Sequence, residues 1–223
     1  MDRLRSPYAA AVVLAGVLAA VAYAGFLFDL FDDAGGLDLS VVSSLETSGE
    51  PEAGLLRTLD VVSGLLTLAL VPFLAAALPP GRWRAVTAWS LVVFAAGGIL
   101  AALVPLPCAD GTPGCPAGAG ERAQAAVHDA ATVVSTLAVL LSAAAVVMAL
   151  RRTGPAWMTW AALLVVAVGV TTGVAYVIAD LASADDAVGI AQRLQILCVS
   201  AWLVCIGVHA AGPIASRRSA SPP

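Results

Sequence analysis

Lysine is absent from this sequence, and charged residues of every kind are scarce. They make up 12% of the 223 residues, whereas soluble domains carry about a quarter. Hydrophobic residues make up 60% of the chain, and the mean hydropathy is +0.93. A soluble fold would have too little polar surface to cover itself, so this class is excluded. The net charge of −4 gives no reason to expect a nucleic-acid partner.

The hydrophobic residues fall in six blocks, and we predict that each block is a transmembrane helix. A helix needs about 20 apolar residues to cross roughly 30 Å of hydrocarbon at about 1.5 Å per residue. The pattern therefore predicts an all-α, six-helix membrane bundle that occupies residues 1–223 as one domain. The six predicted helices are Tyr8–Phe28, Thr58–Leu78, Ala85–Leu106, Ala123–Leu150, Met158–Leu181 and Ala191–Ala211.

The arginines predict the orientation of this bundle. Eight of the eleven lie at the two termini and in two short turns, which share one side when six helices are threaded. By the positive-inside rule that side is the cytoplasm, so both termini are expected there and the protein is expected in the plasma membrane. The eight residues are Arg3, Arg5, Arg82, Arg84, Arg151, Arg152, Arg217 and Arg218. An alternative is a secretory signal cleaved after Ala24, which would leave five helices.

Four cysteines divide into two kinds. Cys108 and Cys115 bracket turn residues in a predicted external loop, where disulfides persist, so we predict that they form a bond. No Cys-x-x-Cys motif or nearby histidine pair completes a metal site there. Cys198 and Cys205 lie seven residues apart in the last helix and are expected to be buried thiols.

Ionisable residues near the outer ends of the helices are the candidate site. Charges inside a span cost about 2.5 to 3.5 kcal/mol at the helix centre, so they are functional candidates by default. Helical spacing brings several of them to similar depth, and we predict one outward-facing pocket. Its candidate ligand-binding residues are Asp60, His128, Asp129, Asp180, Arg193, Arg57 and Tyr176. The alternative is that these residues form interfacial ion pairs, while Ser, Thr and the Gly169–Gly173 pair serve helix packing.

Short motifs give a family resemblance. The run Leu103–Asp110, the segment Ala126–Ala131, the Gln192–Arg193 pair and Trp202 resemble the prokaryotic membrane proteins grouped as domain of unknown function 998. The resemblance covers most of the chain and implies a multi-helix membrane fold. It implies no activity, and the Cys108–Cys115 insert departs from the family pattern.

Three classes of function are compatible with these observations. The first is binding or transport of a small polar ligand or lipid headgroup in the outer pocket, under a long external loop. The second is an intramembrane metal-dependent hydrolase built from Ser43 or Ser44, Asp60, Asp129 and the histidines. Only two histidines exist, His128 and His209, and they are predicted at opposite membrane faces. The third is a structural partner without a ligand. No cofactor motif is present at a usable position, and membrane lipids are the expected surroundings.

Overall fold

A computed structural model describes residues 7–27, 41–47, 49–109, 112–116 and 118–219. This part of the chain folds into six α-helices, the short 3₁₀ helix Val42–Glu46 and a 3₁₀ turn at residues 25–27, and contains no strand. The all-helical prediction is therefore confirmed. Residues Arg3 and Arg5 of the N-terminal arginine cluster lie outside the described residues. The helices are α1 Pro7–Tyr23, α2 Ala53–Ala77, α3 Arg82–Leu103, α4 Ala119–Leu150, α5 Ala156–Leu181 and α6 Asp185–Ser219.

The helix ends differ from those that the hydropathy blocks predict. Helix α2 begins at Ala53 rather than Thr58, and α6 runs from Asp185 to Ser219 rather than from Ala191 to Ala211. Polar residues at a helix end lower the local hydropathy without breaking the backbone hydrogen bonds, so these two blocks are shorter than their helices. Helix α3 ends at Leu103 rather than at the predicted Leu106, because Pro105 and Pro107 cannot continue a helix. Helix α1 ends at Tyr23, and its predicted end, Phe28, lies outside the described residues.

Five of the six helices are long and apolar enough to cross a membrane. These are α2 to α6. Helix α1 is equally apolar in character but has 17 residues, the shortest length that spans a hydrocarbon core. The chain is thus a multi-pass helical membrane protein, and a spanning role for α1 stays a prediction.

The helices form a closed bundle. Consecutive helices pack side by side, α1 also packs on α6, and α2 touches α6 across the interior. Helices α1 and α6 approach closely at Gly16 and Gly207, where a Cβ atom on Gly16 would lie 2.9 Å from the Leu203 carbonyl oxygen. Small residues allow such backbone contact in membrane bundles, so this pair fixes how α1 is seated.

Hydroxyl side chains tie the helices together, as the packing alternative predicted. The Ser63 hydroxyl donates to the Ala19 carbonyl across α2 and α1, at 2.9 Å. The Ser135 hydroxyl donates to the Phe94 carbonyl across α4 and α3, at 2.8 Å. Thr172 bonds within its own helix. These residues satisfy their hydrogen-bonding capacity structurally, which leaves the ionisable residues as the main site candidates.

The predicted Gly169–Gly173 packing contact is only half correct. A Cβ atom on Gly169 would collide with the Leu140 side chain, so α5 does lie against α4 there. A Cβ atom on Gly173 would meet open space. The two helices therefore separate between these glycines, one helical turn apart.

The two ends of the bundle carry different features. One end, here the loop end, holds the 3₁₀ helix and the Cys108–Cys115 loop. The other, here the arginine end, holds Arg82, Arg84, Arg151 and Arg152 at or beside the α2–α3 and α4–α5 turns. The predicted disulfide is confirmed, with a Cα–Cα distance of 6.4 Å, and Cys198 and Cys205 are free and partly buried.

Candidate functional site

The 3₁₀ helix Val42–Glu46 carries the connection between α1 and α2 onto the bundle. Its first backbone amide, at Val42, donates to the side-chain Oε1 of Gln192 on α6, at 2.6 Å. Val41 beside it packs with Ala179 and Val188 in a small apolar cluster, against which Tyr176 also packs. These contacts hold the segment over the interior of the bundle and direct Glu46 inward, where it is buried.

Glu46 meets Asp60 of α2 in a carboxyl pair. The two side chains are hydrogen-bonded, and a bond between two carboxyl groups requires that one of them carry a proton. Burial raises the pKa of Glu46, while His128 and Arg57 oppose that rise through their positive charge. Tyr23 at the end of α1 lies within the electrostatic reach of both carboxyls. The centre of the site is therefore a buried acidic pair whose two carboxyl groups are placed to share one proton.

His128 is fixed beside this pair by the end of α3. Its Nδ1 lies 3.2 Å from the Ala101 carbonyl oxygen and 3.0 Å from the Val104 carbonyl oxygen. The last carbonyls of a helix have no partner within it, so the ring satisfies them by donating from Nδ1. Only 4% of this residue is exposed.

A cavity of about 710 Å³ opens from this polar centre. Such a volume lies in the range that holds a small-molecule ligand. All six helices and the 3₁₀ helix contribute to its wall. Polar side chains from six elements lie at the loop end of the cavity, and mostly apolar side chains of α4 and α5 line the remainder. The polar members at the loop end are Tyr23, Ser43, Glu46, Asp60, His128, Asp129, Tyr176, Gln192 and Gln195.

Four of the seven predicted site residues line this cavity: Asp60, His128, Asp129 and Tyr176. Arg57 does not line it, yet acts electrostatically on Glu46, and its Nε donates to the Ala53 carbonyl at 3.1 Å.

The other two predicted residues lie outside the wall of the cavity. Arg193 is buried, and its guanidinium carbon is 5.7 Å from the centre of the Phe26 ring, which does line the cavity. Asp180 is exposed at the end of α5. The arrangement thus gathers Asp60, His128 and Asp129 and leaves Asp180 apart.

Sequence reasoning missed Glu46, Tyr23 and Gln192. Glu46 ends the mixed polar and apolar run in the long connection, and that alternation was the available signal that the segment lies against the bundle. Nothing in the sequence indicates that its carboxyl pairs with Asp60. The sequence places Tyr23 in an apolar helix and Gln192 in a family motif, and neither pattern indicates a role in the site.

The histidines lie at opposite ends of the bundle. The His209 ring faces Trp157 at the arginine end, with 6.2 Å between ring centres, and His128 is at the loop end. Within the described ranges, no group of three His, Cys, Asp or Glu side chains is placed to hold a metal ion. Ser43 lines the cavity, whereas the Ser44 hydroxyl is turned to the Val41 carbonyl, at 2.6 Å.

The fold and this site define a multi-pass helical membrane protein with a polar cavity at one end of the bundle. Residues 13–209 match the model of a protein family described as protein of unknown function (DUF998). The chain belongs to that family, as the short motifs indicated. No match was found among curated proteins or among solved structures.

Proposed function

We propose that the protein binds a small polar ligand or lipid headgroup in the cavity at the loop end. The observation that carries this proposal is the buried carboxyl pair of Glu46 and Asp60, with His128 beside it, at the closed end of a ligand-sized cavity. Ionisable groups within a membrane bundle are costly, and they are retained where they serve a ligand, an ion or a proton. A purely structural bundle has no need of them.

The chemistry of the pair selects the ligand. A shared proton leaves the carboxyl pair with a surplus of acceptor oxygens. A ligand that presents O–H or N–H donors matches this set. We therefore expect a hydroxyl or an amino group at the polar end, and we expect a carboxylate or phosphate to be rejected.

The arginine distribution supports an outward orientation for this pocket. Arg82, Arg84, Arg151 and Arg152 lie at the end of the bundle opposite the cavity. With the arginine end in the cytoplasm, the loop end faces outward, both termini are cytoplasmic, and the plasma membrane is the compartment that we propose. The hydrolase alternative has no comparable support, since the described residues contain no group of side chains suited to a metal.

Thermal unfolding of the protein in lipid nanodiscs tests the proposal. Ethanolamine and glycerol serve as probes with donors, and tetramethylammonium serves as a cation without donors. We expect the first two to raise the unfolding midpoint of the wild type, because a ligand that binds only the folded state stabilises it by about 2.7 kcal/mol at 100 times its Kd. Tetramethylammonium should have no effect.

The variants Glu46→Gln and Asp60→Asn should lose this response, and Glu50→Gln, in the same connection but exposed, should keep it. An equal response in all four proteins would contradict the proposal, because the stabilisation would then be a general solvent effect. The hypothesis that the protein is a structural partner without a ligand would then be favoured.

A further inference from the structure

The cavity opens toward the membrane between α4 and α5. Val133 and Leu137 of α4 line the cavity and are 56% and 61% exposed. Val170 and Val174 of α5 line it too and are 52% and 54% exposed. Each pair is four residues apart and so shares one face of its helix. A residue that both lines a cavity and is exposed marks where that cavity opens.

This opening is a slot that is closed at the end nearer the arginine end of the bundle. Helices α4 and α5 touch where Gly169 lies against Leu140, while the position of a Cβ on Gly173 faces open space. The slot therefore extends from that contact toward the loop end. Along α4 the distance from Leu140 to His128 is about 18 Å at 1.5 Å per residue. Val133, Leu137 and Leu140 line most of this length, with Thr132 and Thr136 among them and Asp129 near its loop end.

We propose that the ligand is an amphiphile that enters from the bilayer and lays one aliphatic chain in this slot, with its hydroxyl or amino head at Glu46, Asp60 and His128. The proposal rests on the function proposed above and specifies its ligand class. A slot that is open to solvent would expose apolar side chains to water, whereas within a membrane span the same side chains face lipid. A purely polar solute would leave the apolar side chains of α4 and α5 in the cavity wall without a partner.

The volume limits the ligand to a single chain. A cavity of about 710 Å³ has the size that holds a drug-sized molecule, and it must take both head and chain. The contact between Gly169 and Leu140 closes one end of the slot and so limits the length of chain that it can hold. We therefore expect a monoacyl lipid to bind and a diacyl phospholipid to compete poorly.

Photocrosslinking in nanodiscs tests this proposal with the full chain. The probe is a monoacylglycerol with a diazirine at the middle of its acyl chain, and adducts are located by peptide mass spectrometry. We expect adducts on residues 133–140 of α4 and 170–178 of α5. Unlabelled monoacylglycerol should remove them, and diacylphosphatidylglycerol at the same concentration should not.

Two tryptophan variants provide the matched comparison. Val174→Trp fills the slot and should lower the adduct yield at least tenfold. Leu164→Trp adds the same ring to an exposed position of α5 that does not line the cavity, and should leave the yield unchanged. Both positions face lipid, so neither variant disturbs the core. Equal adduct yields in the two variants, or adducts spread evenly over the outer faces of the helices, would overturn the slot.

The outcome separates this inference from the proposed function. In one outcome ethanolamine stabilises the wild type but not Glu46→Gln, and Val174→Trp leaves the yield of acyl-chain adducts unchanged. The proposed polar site is then supported, and the proposed slot is wrong. If the adducts respond to Val174→Trp while Glu46→Gln changes neither their yield nor the thermal response, the chain site stands and the headgroup role of the carboxyl pair is wrong.

Discussion

Glu46 is the residue whose environment differs most from what its sequence position suggests. It lies in a connection, yet it is buried and hydrogen-bonded to Asp60 of a membrane helix. Burial raises its pKa above the ordinary value of 4.5. A carboxyl whose pKa is raised in the folded state binds its proton more tightly there than in the unfolded chain. Its contribution to stability is therefore complete below about pH 4.5 and is lost as pH rises through the raised pKa.

This linkage predicts that the unfolding midpoint in detergent falls as pH rises from 4.5 toward neutrality. Glu46→Gln should flatten that dependence, because an amide donates to Asp60 at every pH. Glu50→Gln, an exposed neighbour, is the control and should follow the wild-type curve. Parallel curves for the wild type and Glu46→Gln would show that Glu46 does not titrate in the folded protein.

Two adjacent glycines of α3 have different surroundings: Gly97 packs against α4, whereas Gly98 lines the cavity. A Cβ on Gly97 would lie 2.9 Å from the Ser135 Cβ and 3.0 Å from the Ala131 carbonyl oxygen, whereas a Cβ on Gly98, which lines the cavity, would meet nothing. We expect Gly97→Ala to cost about 1 to 3 kcal/mol through overpacking. Gly98→Ala should be neutral or stabilise by roughly 0.5 to 1 kcal/mol, because alanine is the better helix former.

Thermal unfolding of the two alanine variants beside the wild type checks this pair. Equal losses at both positions would mean that the cavity wall at Gly98 is packed in solution.

At the scale of elements, hydropathy predicted the helices well and the connections poorly. A helix leaves a strong periodic and compositional signal over many residues, so six helices were found and only their ends differed. The 3₁₀ helix has only five residues, too few for a recognisable sequence pattern. Its position depends on a hydrogen bond from the Val42 amide to Gln192. Asp60 and His128 were predicted because a charge within a span is conspicuous. Glu46 was not predicted as a site residue, because charged residues are common in the connections between helices.

The bond between Val42 and Gln192 gives a prediction for this element. Gln192→Ala removes the only side-chain acceptor that the structure gives to the Val42 amide among the described residues, and we expect residues 42–47 to open more often. Amide hydrogen exchange of that segment should accelerate several-fold, since exchange follows the free energy of local opening. Gln195→Ala, on the same helix and also lining the cavity, should leave the exchange unchanged. Unchanged exchange in Gln192→Ala would indicate that the apolar cluster alone holds the segment.

For the whole molecule, orientation is the remaining prediction from sequence. Single cysteines at Glu50 and Thr153, both exposed and at opposite ends of the bundle, can be introduced with Cys198 and Cys205 changed to serine. In intact cells an impermeant maleimide should label residue 50 and not residue 153, because the arginines hold the second position in the cytoplasm. Labelling of residue 153 alone would invert the topology and turn the cavity inward.

Double-mutant cycles on the free energy of unfolding, measured by detergent denaturation, test whether side chains from separate elements form one buried polar site. Glu46→Gln combined with Asp60→Asn should show a coupling of about 0.5 to 3 kcal/mol, as residues in one hydrogen-bonded network do. Asp60→Asn combined with Asp180→Asn, which lies outside the cavity, should be additive within about 0.5 kcal/mol. Additivity of the first pair would contradict the account, because Glu46 and Asp60 would then act as independent residues.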